Sequence, residues 1–76
     1  MYQIYRDIED NTYVGFFEGK VTVWGCSSKE MLDFFKHNYY RTINTAELLD
    51  IYEDGLLLIH ETETIEELKL LILLES

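Results

Sequence analysis

The chain has 76 residues, 47% of them apolar and 14% aromatic, and sets 15 carboxylates against six lysines and arginines for a net charge of −9. That apolar content is too high for a disordered acidic tail, so a packed core is expected, although so small a chain buries only about 60% of the surface its unfolded form exposes. The shortage of cations argues against binding to the phosphates of nucleic acid or of an anionic membrane. The longest apolar runs, Leu56 to Ile59 and Leu70 to Leu74, fall far short of the roughly 20 residues a membrane helix needs.

From the start, Tyr2 to Ile8 alternates, with Tyr2, Ile4 and Ile8 on one side and Gln3, Tyr5 and Asp7 on the other, before the turn residues Glu9-Asp10-Asn11. Glu18-Gly19 supplies a second, two-residue corner. A three-residue first loop sets Ile4 opposite Phe16 and Ile8 opposite Thr12, and the second loop sets Phe16 opposite Val21 and Val14 opposite Val23. One face then carries Ile4, Ile8, Val14, Phe16, Val21 and Val23. The other carries Tyr13 across from Trp24, Phe17 across from Lys20, and Tyr5 over Gly15. The pattern predicts a three-stranded antiparallel meander.

Ser27 with Glu30 forms a capping box ahead of Met31, Leu32, Phe35 and Tyr39, a stripe that predicts a helix packed on the aliphatic face of the meander. Leu49–Glu53 and Leu56–His60 flank Asp54-Gly55 and read as a β-hairpin, while Asn44 with Glu47 offers the alternative of a helix running to Gly55; the hairpin is the favoured reading. Thr64 with Glu67 is a further capping box, which predicts a helix over Ile65 to Leu74, with a buried strand over Leu70 to Leu74 as the alternative. There is no proline, linker or repeat. The expectation is a single α+β domain over residues 1–76: the meander, a helix, a β-hairpin and a C-terminal helix.

Cys26 precedes a helix start, where a thiol can be activated, and His37 and His60 are available as bases, but no oriented base, oxyanion hole or substrate-binding motif accompanies them. On a strand, His60 points away from Glu61 and Glu63, so a metal shell there would need ligands from elsewhere. Asp50, Glu53 and Asp54 lack the spacing of a calcium loop. No phosphate-binding glycine loop is present. The expectations are a non-enzymatic protein and no cofactor or metal. One cysteine and no secretory signal before Tyr2-Gln3-Ile4 make the cytoplasm the expected compartment.

Charge is the remaining lead. Residues 1–40 set Arg6, Lys20, Lys29 and Lys36 against six carboxylates, whereas residues 41–76 set Arg41 and Lys69 against nine. If their elements adjoin, Glu47, Asp50, Glu53, Asp54, Glu61, Glu63, Glu66 and Glu67 can imitate a run of phosphates and attract a basic protein such as a nuclease. The outer aromatic row, Tyr5, Tyr13, Phe17 and Trp24, is covered either by the second hairpin or last helix, or by a partner for which it supplies anchors. By composition alone the chain suggests a small acidic inhibitor, such as the phage proteins that block restriction or CRISPR nucleases or the immunity proteins that neutralise a nuclease. The alternative is a homodimer or larger homo-oligomer of structural or regulatory role, held by the leucine-rich C-terminus.

Overall fold

The computed structural model describes residues 1–53 and 55–75. In chain order the elements are β1 (Tyr2–Asp7), β2 (Thr12–Phe17), β3 (Lys20–Thr22), α1 (Ser28–Lys36), β4 (Tyr40–Thr42), α2 (Thr45–Glu53), β5 (Leu56–Thr62) and α3 (Ile65–Glu75). The strands form one antiparallel sheet in the order β4-β3-β2-β1-β5, so the fold is α+β.

The meander is present, but its first loop has four residues. Asp7 is the cause. Its carboxylate accepts the backbone N–H groups of Glu9 (3.0 Å) and Asp10 (3.3 Å), its carbonyl accepts that of Asn11 (2.9 Å), and Asn11 takes a left-handed φ of 58°. An Asx turn of this kind ends the strand at Asp7 and places Ile8 in the loop. The register moves by one residue, so Ile4 faces Gly15 and Tyr5 faces Val14. Because side chains alternate, that slip sends Tyr5 to the face opposite the one expected, and Ile8 is left exposed.

At Glu18-Gly19 both residues have positive φ, 46° and 75°, which defines the tight hairpin turn and sets Phe16 opposite Val21 as expected. Beyond Val21 the β2–β3 ladder breaks. The Gly15 N–H donates to the Thr22 hydroxyl (2.9 Å), that hydroxyl donates to the Val23 carbonyl (2.9 Å), and pairing resumes one residue late, between Tyr13 and Gly25. This bulge displaces Trp24 from Tyr13 and leaves Val23 exposed, where they were expected to pair across the meander and to join its aliphatic face.

Ser27 caps α1 through its hydroxyl, which accepts the Glu30 N–H at 3.1 Å. The helix closes in a Schellman motif: Asn38 is left-handed (φ 57°), and the N–H groups of Tyr39 and Asn38 donate to the carbonyls of Phe34 and Phe35. Met31, Leu32 and Phe35 are buried as expected, but Tyr39 lies past the cap and is exposed. Thr64 caps α3 by accepting the Glu67 N–H at 3.2 Å, and Leu70 to Leu74 are helical.

The favoured second hairpin does not form. Residues 45–53 are helical, capped by Asn44, whose side-chain oxygen accepts the Glu47 N–H at 2.9 Å. Gly55, with φ 82°, follows the helix; Asp54 lies outside the described residues. Topology explains the outcome. The chain must travel from β4 at one edge to β5 at the other, four strand spacings or about 19 Å, and nine residues of helix cover about 14 Å of that path while laying Leu48 and Ile51 on the sheet.

Each face of the sheet therefore has its own core. On one, α1 and α3 pack Met31, Leu32, Phe35, Leu68 and Ile72 around Ile4, with Tyr2, Tyr13 and Phe17 beside them. On the other, α2 covers Val14, Phe16, Val21 and Ile43. Only α1 has changed sides relative to expectation: it joins α3, the last helix, one of the covers expected for the aromatic row, on the side of Tyr13 and Phe17, while the aliphatic side receives α2.

Candidate functional site

Antiparallel strands collect their turns at the two ends of a sheet, and here the turns hold the carboxylates. At one end Asp7, Glu9 and Asp10 of the β1–β2 turn meet Glu53 at the end of α2, and together with Gly55 they line an open cleft. At the other end Glu18 of the β2–β3 turn faces Glu63 and Glu66 at the β5–α3 junction, beside the stacked rings of Tyr2 and Phe17 (4.1 Å). The six residues of β1 separate the two groups by about 20 Å.

Arg6 donates to the Asn11 side chain in the first turn (2.9 Å) and Lys20 follows the second, but neither forms an ion pair with these carboxylates among the described residues. Among the described residues the ion pairs are Arg41–Glu47 and His60–Glu75. The Arg41 guanidinium grips Glu47 with both terminal nitrogens and holds its carboxyl below the usual range. Tyr2, at the second acidic end, has its hydroxyl pKa pushed up by burial first and then by Tyr40, Glu18 and Glu66.

The expected acidic run is thus divided. Glu53 belongs to the first end, and Glu63 and Glu66 to the second. Glu61 accepts a hydrogen bond from Gln3 (2.7 Å), Glu67 is exposed on the first turn of α3, and Asp50 is exposed on α2. Glu47 is neutralised by Arg41, and Asp54 lies outside the described residues. Asp7, Glu9, Asp10 and Glu18 were not anticipated as members. Glu9, Asp10 and Glu18 occupy turn segments and Asp7 ends β1, so their grouping becomes readable only once β5 is known to pair with β1.

The four aromatic residues do not share a surface. Tyr13 and Phe17 pack against the α1–α3 core, and Trp24 is 42% exposed beyond the bulge. Tyr5 is on the α2 side, edge-on to Phe16 and Tyr52 (both 5.4 Å). Cys26 is exposed, with its sulfur 3.6 Å from the Glu30 carboxylate, and His60 contacts Glu75 at 2.8 Å. Among the described residues, no three His, Cys, Asp or Glu side chains converge to hold a metal ion, and no helix is long and apolar enough to cross a membrane.

Burial raises the Tyr5 hydroxyl pKa well above its ordinary value near 10, with the Tyr52 hydroxyl at 3.4 Å adding to the effect. The unfolded chain therefore loses the Tyr5 proton first, so the stability linked to this group is intact below pH 10 and falls as pH climbs above it. Tyr5→Phe is expected to flatten that decline in melting temperature between pH 9 and 11. Equal alkaline slopes in the two proteins would assign it to other groups.

No protein-family model, curated protein or solved structure matches the chain.

Proposed function

We propose that this is a non-enzymatic acidic binding protein that occludes the basic, nucleic-acid-binding surface of a partner, in the manner of a phage anti-restriction or anti-CRISPR inhibitor or a nuclease immunity protein. The observation that carries this reading is the pair of carboxylate groups at the two ends of the sheet, unpaired with lysine or arginine among the described residues and about 20 Å apart. Carboxylates without an ion-pair partner project their field outward. Such a field repels polyanions, speeds encounter with a cationic groove and sets register on it. The reading requires no cofactor, and the cytoplasm, where nucleases act on nucleic acid, is the compartment it implies.

An affinity pull-down with the full chain as bait tests it. One basic protein should be retained at about 50 mM salt and released as ionic strength rises and the screening length shortens from about 14 Å to a few Å. Tight retention of DNA or RNA, or a retained protein indifferent to salt, would overturn the proposal.

A further inference from the structure

The outer side of α1 and α3 carries a surface distinct from the acidic ends. Three of the six lysines and arginines, Lys29, Lys36 and Lys69, line a single groove of about 230 Å³ between α1 and α3, with Leu32 and Ile72 buried at its floor, Leu73 exposed at its rim and Asp33 its one carboxylate among the described residues. Against a net charge of −9, that concentration of cations on an apolar floor marks the groove off from the rest of the molecule. Next to it, α3 turns Leu70 and Leu74, one helical turn apart, outward at 60% and 75% exposure. Glu67 lies three and seven residues before them, on the same side of the helix and exposed.

We infer that this face forms a two-fold dimer interface, with α3 of each copy laid antiparallel over the α1–α3 groove of the other. An isologous contact needs a patch that complements itself, and this one carries a leucine row, a cationic groove and an acidic residue in line with that row. In the dimer Leu70 and Leu74 of each copy enter the other's groove, and each Glu67 stands among the other's lysines. Dimensions agree, since the 11 residues of α3 are about 16 Å long and Lys29 to Lys36 spans about 10 Å of α1. The leucines and lysine stems offer on the order of 400 Å² of apolar surface, close to the apolar half of the roughly 800 Å² each partner gives to a standard interface.

Sedimentation of the isolated full chain from 1 to 200 μM is the test. Mass should rise from 9.1 kDa to twice that value across the range. Leu70→Gln with Leu74→Gln should abolish the rise while the melting temperature measured at 1 μM, where the chain is monomeric, stays within a few degrees, because both side chains are exposed in the monomer. Lys36→Glu with Lys69→Glu should weaken association at least ten-fold, as should Glu67→Lys, and mixing those two charge-reversed proteins should restore it as a heterodimer. A mass of 9.1 kDa throughout, unchanged association of folded leucine variants, or failure of the mixed pair to recover would each overturn the dimer. No basic partner is present in these measurements, so their failure leaves the inhibitory function standing, and the reverse holds too.

Discussion

Gly15→Ala is expected to cost about 3 kcal/mol, at the upper end for overpacking a core, and to lower the melting temperature by roughly 15 °C in a domain of this size. A Cβ at this position would stand 2.5 Å from Cζ and 3.0 Å from Cε2 of Phe35, and 3.1 Å from Cγ2 of Thr22. None of these can retreat cheaply. Phe35 is buried and meets Tyr2 edge-on at 5.2 Å, while the Thr22 hydroxyl holds the Gly15 N–H that replaces the broken ladder. The added methyl must therefore push α1 away from the sheet. Phe35→Leu should recover much of the loss in the Gly15→Ala background although it destabilises the wild type, a coupling that two independent sites would not show. Gly19→Ala is the control: nothing lies within 4 Å, so only the φ of 75° resists, at about 1 kcal/mol. Equal melting temperatures for Gly15→Ala and the wild type would show that Phe35 does not rest on this glycine.

What could be read from the sequence divides along a physical line. Among signals confined to about four residues, the helix caps and one turn held, whereas the Glu9-Asp10-Asn11 loop came out one residue longer and the Asp54-Gly55 corner joined no two strands. The Ser27/Glu30 and Thr64/Glu67 caps start α1 and α3, and Glu18-Gly19 makes its hairpin turn, because each is settled by hydrogen bonds or φ values within the motif itself. Asn44/Glu47 carried the same signal for α2. It was outweighed by the Asp54-Gly55 corner between Leu49–Glu53 and Leu56–His60, segments too short for periodicity to decide between helix and strand. The deciding fact, that the second face of the sheet needs cover on the way from β4 to β5, is tertiary.

Register failed for a related reason. A single side chain controls each slip: Asp7 lengthens the first loop by accepting two N–H groups, and Thr22 breaks the ladder by taking one. Either residue would have passed as an ordinary strand position. Once both slips occur, Tyr5 and Trp24 leave the aromatic row, and the expected four-ring surface dissolves. Dividing the chain in half hides the acidic ends. Antiparallel pairing of β5 with β1 interleaves the halves, so turns distant in sequence become neighbours.

That interleaving fixes the second large effect, on association with the basic partner. Neutralising one end with Glu9→Gln, Asp10→Asn and Glu53→Gln should slow association about ten-fold at low salt, and the other end with Glu18→Gln, Glu63→Gln and Glu66→Gln by a similar factor. With all six changes the loss should approach a hundred-fold, because the ends lie about 20 Å apart, beyond the screening length of roughly 8–10 Å at 0.1–0.15 M salt, and their contributions to the logarithm of the rate add. Dissociation should change far less than association, since exposed charges act mainly on encounter. All six side chains are exposed, so folding should be little affected: Glu53→Gln removes a carboxylate from the end of α2, where the helix dipole disfavours it, and Glu66→Gln removes one from the first turn of α3, where the dipole favours it by at most about 1 kcal/mol. Stopped-flow mixing with the retained partner at 50 and 300 mM salt reads both rates. The six-fold variant should show a flat salt dependence where the wild type shows a steep one. A steep dependence that survives all six changes would mean that the attraction originates elsewhere on the molecule, and the two-ended mechanism would then fail.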